Sequence, residues 1–245
     1  MKTAHPWYET WFNSPYYHLL YEHRSDEEAA QFIHELLSYL NPPTGSLMLD
    51  MACGNGRHTR CLAARGFEVW GLDLSVENIK TAKSISAPNT HFEVHDMRDC
   101  YRTAFFDYVF NFFTSFGYFD SETDNVKALE VMYQSLKKEG FVLIDFLNIH
   151  KISQSLIDHE VITKHGITFH IDRHMSDHHL IKNIQFEADG QRLHFAEKLQ
   201  TLGQQHFQTY FKQIGFKLVA EFGDYTLNPF NAATSARYII LGKKQ

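Results

Sequence analysis

The sequence is poor in cysteine, in proline and in long apolar runs. The 245 residues include 3 cysteines and 6 prolines. Cys53, Cys61 and Cys100 form neither a disulfide framework nor a paired metal-ligand spacing, which favours a reduced, cytoplasmic location. The apolar runs have the length of β-strands, so no membrane span is expected. Residues 1–12 lack the pattern of a signal peptide.

An excess of positive charge is also missing. The formal net charge is −6, and no basic run exceeds two lysines, so a nucleic-acid partner is not expected. The chain does have 44% hydrophobic residues, which is enough for one substantial core with room for a small subdomain.

Strands and helices alternate through the first half of the chain. A helix begins at a capping box of Ser25 to Glu28 and ends at Asn41-Pro42-Pro43. Helical segments then separate the predicted strands, which are 46–51, 67–73, 90–95, 105–112 and 141–146. This alternation predicts an α/β fold with a doubly wound, mostly parallel sheet.

The pattern changes after the fifth strand. Residues 160–201 predict three antiparallel strands, at 160–172, 178–187 and 191–201, with a hairpin at Asp189-Gly190. A helix at 204–214 and strands at 216–222 and 237–242 then complete a seven-stranded sheet. The predicted organisation is a helical lid at 1–45, a ligand-binding domain at 46–150 and 202–245, and an antiparallel insertion at 151–201.

Residues 47–59, LMLDMACGNGRHT, occupy the turn after the first strand, where sheets of this class bind ligands. Gly54 and Gly56 let a ligand approach the backbone closely. The stretch lacks the Lys-Ser or Lys-Thr pair of a phosphate-binding P-loop. A dinucleotide site prefers a third glycine where this chain has Thr59.

The spacing Asp50-x-Ala52-x-Gly54-x-Gly56 resembles motif I of the class I S-adenosylmethionine-dependent methyltransferases, with Ala52 at the first glycine position. The resemblance implies a Rossmann-like methyltransferase fold with S-adenosylmethionine as cofactor. By the same resemblance, Asp50 suits the ammonium of the cofactor's amino acid tail. The backbone from Ala52 to Gly56 would pass close to that tail and the ribose.

Acidic residues at the next two strand ends agree with this resemblance. Asp73 ends the second strand, where a carboxylate can accept hydrogen bonds from both ribose hydroxyls. Asp96 and Met97 follow the third strand, where the family places an acid on the adenine amino group and an apolar residue on the ring. The other residues that the resemblance adds to the cofactor site are Leu74, Asn111, Tyr21 and Arg24.

The acceptor is less well defined than the cofactor. Asn111-Phe112-Phe113-Thr114 differs from the Asn/Asp-Pro-Pro-Tyr/Phe motif of amino-methyltransferases that act on DNA or glutamine, and no cysteine follows a proline as in cytosine-C5 enzymes. The aromatic N-terminal segment and the late insertion resemble those of glycine and sugar N-methyltransferases. This resemblance implies a small-molecule acceptor attacked at nitrogen or oxygen, with Tyr16, Tyr17, Tyr21 and Arg24 near the sulfonium or the carboxylate.

Histidine is abundant, with 16 residues. We interpret His174, Asp177, His178 and His179 as loop residues and expect no metal site. Catalytic residues are not defined by the sequence. His150, which follows the fifth strand, and His170 of the insertion are candidate bases for the acceptor's proton.

Several alternatives stay open at this stage. The protein could methylate a protein or a tRNA, bind the cofactor without catalysis, or be a nucleotide-fold oxidoreductase. The acid at Asp50 and the residue at Thr59 argue against the last. The sequence leaves the oligomeric state open, a homodimer included.

Overall fold

The computed structural model describes residues 7–22, 26–176 and 178–245. Its first helices are α1 (Trp7–Phe12), α2 (Pro15–Leu20) and α3 (Asp26–Leu40). The capping residue predicted for α3, Ser25, lies outside the described residues.

The central sheet begins with five strands in chain order. These are β1 (Leu47–Met51), β2 (Glu68–Asp73), β3 (Thr90–Val94), β4 (Phe106–Asn111) and β5 (Leu136–Leu147). The helices α4 (Arg57–Ala63), α5 (Val76–Ser84) and α6 (Glu122–Ser135) connect them. All neighbouring pairs among these five strands are parallel, so their carboxyl ends meet at one edge.

A separate antiparallel sheet follows the short helix α7 (Ile149–Gln154). It has four strands in the order β6 (His159–Lys164), β7 (Ile167–Met175), β8 (His179–Ala188) and β9 (Gln191–Gln200). The prediction of one strand over 160–172 was wrong. His165 and Gly166 have positive φ of 49° and 80°, which is the geometry of a two-residue hairpin turn. They reverse the chain between β6 and β7.

The chain returns to the central sheet through α8 (Gln204–Ile214), β10 (Phe216–Phe222) and β11 (Arg237–Lys244). The seven strands lie in the order β10-β11-β5-β4-β1-β2-β3. β11 is antiparallel to both neighbours. The predicted mixed, mostly parallel sheet with an antiparallel insertion after the fifth strand is thereby confirmed. Among the described helices, none combines the length and apolar character needed to cross a membrane.

The N-terminal helices divide between the two sheets. α3 buries Phe32, Ile33 and Leu36 against residues of β1 and α4 such as Met48 and Leu62. α1 and α2 instead pack on the antiparallel sheet, where the rings of Trp11 and Phe195 lie 4.5 Å apart. The predicted lid at 1–45 therefore contains two parts with different packing partners.

Gly56 has a packing role behind the loop. It caps α4 with φ of 81°, and a Cβ at this position would lie 2.6 Å from the ring of Phe92 in β3. Phe92 is buried with Ile79 and Ala82 of α5. The absence of a side chain at Gly56 thus lets α4 begin directly against β3.

We expect Gly56→Ala to lower the free energy of unfolding by about 2–4 kcal/mol, because a left-handed conformation and a steric clash with Phe92 both add cost. Gly190→Ala is the matched control. Gly190 also has positive φ but has no atom within 4 Å of the added Cβ, so it should cost only about 1 kcal/mol. Urea denaturation of both variants tests this; equal losses would contradict the packing role.

Candidate active site

A cavity of about 670 Å³ lies at the carboxyl ends of the parallel strands. Its floor comes from the segments that follow β1, β2, β3 and β4, and α1 and α2 cover one side. Of the sequence-predicted cofactor residues, those that line this cavity are Ala52, Gly54, Asp73, Leu74, Asp96, Met97 and Tyr21. Asp50, Gly56 and Asn111 lie outside the lining, and Arg24 lies outside the described residues.

The carboxylate of Asp73 organises the loop after β1. Its Oδ2 accepts a hydrogen bond from the backbone N–H of Gly54 at 2.8 Å, and its Oδ1 accepts from the N–H of Ser75 at 2.8 Å. Burial raises the pKa of Asp73, although these backbone donors oppose the shift. The hydroxyl of Ser75 in turn donates to Oδ1 of Asn13 at 2.7 Å. Asp73 therefore links the loop, the start of α5 and the N-terminal segment.

Asp96 is held by Arg98, two residues along the chain. The guanidinium donates to both carboxylate oxygens, with 2.6 Å between Nη2 and Oδ2, and the backbone N–H of Arg98 donates at 2.9 Å. Burial raises the pKa of Asp96, but the bonds from Arg98 outweigh it and the net pKa is lowered. Asp96 thus presents an ionised carboxylate to the cavity.

Asp50 lies directly beneath the loop and is buried. Its Oδ2 accepts the hydroxyl hydrogen of Thr59 at 2.6 Å. Among the described residues, its Oδ1 has no hydrogen-bond partner. Burial raises the pKa of Asp50 to about 7, against the bond from Thr59, and the charge of Asp73 adds to the rise. Asn111 is likewise buried, with its amide nitrogen donating to the carbonyl of Met51 at 2.8 Å.

The loop after β1, from Ala52 to Gly54, has one face open to the cavity. Ala52 adopts φ of 62° and Gly54 φ of 56°, conformations that glycine adopts at least cost. No atom lies within 4 Å of a Cβ placed on Gly54. Gly54 therefore exposes its backbone to the cavity, whereas Gly56 serves the packing on Phe92.

A second cavity of about 370 Å³ adjoins the first. The two share a wall made of Tyr21, Phe113, Thr114 and Tyr118. The remaining lining comes from the end of β5, from α7 and the segment after it, from the antiparallel sheet and from the start of β11. Half of these residues are aliphatic, and the charged ones are Glu160, Arg173, Lys182, Glu197 and Arg237.

The shared wall contains two adjacent residues with strained backbones. Phe113 and Thr114 have φ of 60° and 59°, which costs a non-glycine residue on the order of 1–3 kcal/mol. The buried carboxylate of Asp145 accepts from the N–H of Phe113 at 2.8 Å, and Arg237 donates to Oγ1 of Thr114 at 2.7 Å. Arg237 and Asp145 form an ion pair at 2.7 Å. This pair fixes the turn that separates the cavities.

The structure does not bring the candidate bases to either cavity. His150 is exposed on α7 beside Gln154, and His170 is exposed on β7. Tyr16 also lies away from both cavities, with its ring on Phe186 and its hydroxyl donating to Asp189. Tyr17 and Tyr21 do line the first cavity.

The prediction of loop residues was wrong for His174, because β7 extends further toward the turn than expected, and for His179, which begins β8. His178 lies in the turn, and Asp177 lies outside the described residues. Within the described ranges, no cluster of three or more potential metal ligands occurs.

Sequence analysis missed several lining residues. His18, Arg57, Tyr118 and Arg237 all line a cavity. Arg57 could have been predicted from the sequence, because it is the first residue of α4 directly after the recognised loop. Arg237 could not, because only the pairing of β11 with β5 brings it to Asp145.

We expect Arg237→Met to lower the free energy of unfolding by about 3–5 kcal/mol, because it leaves the buried Asp145 without its counter-charge. Arg192→Met is the matched control. Arg192 pairs with Glu187 at the exposed end of β9, and its loss should change stability little. Thermal and urea unfolding compare the two, and equal effects would contradict a stabilising role for the Arg237 pair.

The raised pKa of Asp50 predicts a specific pH dependence. The folded protein retains a proton between pH 3.8 and about 7 that the unfolded chain releases. The stabilisation of the folded state by this bound proton is therefore fully present at the acidic end of the range and is lost as the pH rises through it. Between pH 5 and 8 the wild-type protein should lose on the order of 1 kcal/mol or more of unfolding free energy through Asp50. We expect this loss to be absent in Asp50→Asn. Difference curves of unfolding free energy test this, and parallel curves would refute it.

Comparison with known proteins finds similarity to methyltransferases both in sequence and in structure. Residues 48–140 match the family described as methyltransferase domain. A putative methyltransferase of Bacillus subtilis (strain 168), YqeM, is 35% identical over 121 residues, covering 47% of this chain and 48% of that protein. The dTDP-3-amino-3,6-dideoxy-alpha-D-glucopyranose N,N-dimethyltransferase of Streptomyces fradiae is 31% identical over 103 residues, covering 42% and 40%. The chain spans about half the length, or less, of these relatives.

The structural similarity extends over the whole chain. A crystal structure of an S-adenosylmethionine-dependent methyltransferase from Clostridium acetobutylicum ATCC 824 aligns with a TM-score of 0.78, at 19% identity, covering 94% of this chain and 96% of that one. Residues 48–140 therefore match the methyltransferase domain family, and the chain shares the fold of an S-adenosylmethionine-dependent methyltransferase.

Proposed function

We propose that the protein transfers the methyl group of S-adenosylmethionine to a nitrogen or oxygen atom of a small-molecule acceptor. The observation that carries this proposal is the pair of adjoining cavities with their shared wall of Tyr21, Phe113, Thr114 and Tyr118. The cofactor would occupy the larger cavity and the acceptor the smaller one. Residues 46–150 and 202–245 would then form the cofactor side, and the insertion at 151–201 the acceptor side.

The first cavity suits the cofactor and not a phosphate. Asp73 and Asp96 bring two carboxylates to the lining, and they would repel a pyrophosphate. Asp73 accepts from the backbone of Gly54 and Ser75 and from the amide of Asn78, and its remaining acceptor capacity would serve the ribose hydroxyls. Asp96 and Met97 would contact the adenine amino group and ring. Asp73 and Asp96 would together suit a nucleoside without phosphates.

The loop and the residues beneath it suit the amino acid tail. Oδ1 of Asp50 is a buried acceptor without a partner among the described residues, and Asp50 precedes the lining residues Ala52 and Gly54 in the loop. Arg57 lines the cavity, and its charge opposes the rise in the pKa of Asp50. The tail would place its ammonium near Asp50 and its carboxylate near Arg57.

The surrounding side chains would orient the reactants and exclude water. When bound, S-adenosylmethionine supplies an electrophilic methyl group on a sulfonium. The rings of Tyr17, Tyr21 and Tyr118 line the cavity, and tyrosine faces attract a cationic centre. The strained turn at Phe113 and Thr114 would set the approach of the nucleophile, so that alignment supplies much of the rate enhancement.

The size of the second cavity supports a small acceptor. Its volume of about 370 Å³ is in the range of small-molecule sites. The Streptomyces fradiae relative is named for an amino-sugar substrate, which supports a small molecule with a nitrogen nucleophile. A reduced cytoplasmic location, proposed from the cysteine content, is consistent with this activity.

Calorimetry with S-adenosylmethionine, S-adenosylhomocysteine and NAD tests the proposal. We expect both sulfur ligands to bind and NAD to bind much more weakly. Asp73→Ala should reduce the cofactor affinity about 10- to 100-fold, because it removes a pair of charge-assisted hydrogen bonds.

Asp99→Ala is the control for that measurement. Asp99 is an exposed aspartate that pairs with Lys127 outside the cavity, and its variant should bind as the wild type does. Binding of NAD without either sulfur ligand would refute the proposed cofactor. Unchanged affinity in Asp73→Ala would place Asp73 outside the binding site.

A further inference from the structure

Four charged side chains form a row across one face of the antiparallel sheet. They are Glu160 on β6, Arg173 on β7, Lys182 on β8 and Glu197 on β9, and all four line the second cavity. Elsewhere this face is mostly apolar and is covered by α1 and α2, as at Ile171, Ile184 and Phe186. Lys164 at the end of β6 is also charged and pairs with Glu22. On β7, β8 and β9 the charge of this face is thus confined to the part that borders the cavity.

The two cations in the centre of the row are direct neighbours. Arg173 and Lys182 are register partners of β7 and β8, so their Cβ atoms are about 5 Å apart. Their side chains are only 19% and 13% exposed. Like charges placed opposite each other in a sheet are destabilising, and low exposure increases that cost. Glu160 and Glu197 each pair with one of these cations, and an anion between Arg173 and Lys182 would offset the repulsion between the two.

Each acid at an end of the row pairs with the neighbouring cation, and Glu197 also has other donors. Oε1 of Glu197 accepts from Nε1 of Trp11 at 2.7 Å and from the hydroxyl of Tyr21 at 2.6 Å. Lys182 donates to the oxygen of Tyr21 and lies 4.0 Å from Oε2 of Glu197. The hydrogen bonds from Trp11 and Tyr21 therefore fix the carboxylate of Glu197 in place.

Arg173 keeps donors for a ligand. Its Nη2 donates to Glu160 and its Nη1 to the carbonyl of Ile157 at 3.3 Å. A guanidinium has five N–H donors in a planar fork, and these are the bonds of the Arg173 guanidinium to the described residues. Arg237 borders the same cavity, but it is the counter-charge of the buried Asp145. Arg173, whose partner Glu160 is partly exposed, is accordingly the better placed of the two guanidinium groups for an additional acceptor.

We propose that the second cavity binds an anionic group of the acceptor, a carboxylate or a phosphate, between Arg173 and Lys182. This inference rests on the proposed function, since it assigns the cavity to the methyl acceptor. The fork of Arg173 would bind two oxygens of the anion, and Lys182 would add a point charge. The methylated atom would lie at the other end of the acceptor, at the part of the shared wall formed by Phe113 and Thr114.

Nuclear magnetic resonance of the arginine side chains tests the site directly. The protein is labelled with ¹⁵N-arginine, saturated with S-adenosylhomocysteine and titrated with sodium phosphate or sodium acetate at constant ionic strength. The Nε signal of Arg173 is identified by its loss in Arg173→Gln. We expect a saturable shift of this signal, while the signal of the exposed Arg192 stays in place.

Two variants test whether Lys182 contributes to the anion affinity. Lys182→Gln should weaken the anion affinity at Arg173 about 10-fold, because one of the two charges is gone. Arg192→Gln removes the same charge from the same sheet outside the cavity and should leave the affinity unchanged. Circular dichroism of each variant confirms that the sheet is folded; if Lys182→Gln is unfolded, Arg173→Lys, which keeps the charge without the fork, replaces it with the same expected weakening.

The outcomes separate the two anions and the two proposals. A response to phosphate alone assigns a phosphate, and a response to acetate alone assigns a carboxylate. No shift at Arg173 with either anion, or equal affinity in wild type and the Lys182 variant, overturns the inference. Failure of S-adenosylhomocysteine to bind counts against the proposed function instead, and the titration of the ligand-free protein then tests the anion site by itself.

Discussion

A charge that has to be neutralised away from water determines the arrangement of this site. Asp145 is fully buried in the middle of the central sheet, and an isolated carboxylate there would be very costly. Arg237 supplies the counter-charge, and the backbone of the Phe113 turn supplies a hydrogen bond. The same two side chains therefore satisfy each other and hold a strained turn. Because that turn is the boundary between the cavities, the shape of both cavities depends on the pair.

The other fixed element is the carboxylate of Asp73. It accepts the backbone N–H groups of Gly54 and Ser75, and Ser75 contacts the N-terminal segment at Asn13. One buried acid thus positions the loop, the start of a helix and the covering helices. The covering helices also contact the antiparallel sheet through Trp11 and Glu197. The two cavities are consequently enclosed by one connected set of contacts.

The sequence was sufficient for the parts of the site that are local in the chain. The loop from Ala52 to Gly54 and the acids at Asp73 and Asp96 follow strand ends, and a parallel sheet brings strand ends together. The hairpin at His165 and Gly166 was missed because glycine follows histidine there, which is a weak turn signal beside Asp-Gly. The packing of Gly56 on Phe92 was not predicted, because a glycine that contacts a buried ring and one that faces a ligand look the same in sequence.

The non-local parts could not be predicted. Arg173, Lys182 and Glu197 become neighbours only through the register of β7, β8 and β9, and a shift of one residue would turn them to the other face. The candidate bases His150 and His170 were chosen by their place in the chain. Their side chains point away from the cavities because strand residues alternate between faces and α7 exposes that position.

The pairing of Asp145 with Arg237 also has a consequence for the order of assembly. The two residues are 92 positions apart in the chain, and the whole antiparallel sheet lies between them. During synthesis, β1 to β5 can form their parallel pairs while Asp145 still lacks its partner. The turn at Phe113 acquires its final shape only when β11 has been made and has inserted beside β5. A nascent chain that has completed the loop and its acids therefore has the floor of the first cavity before the boundary with the second cavity has formed.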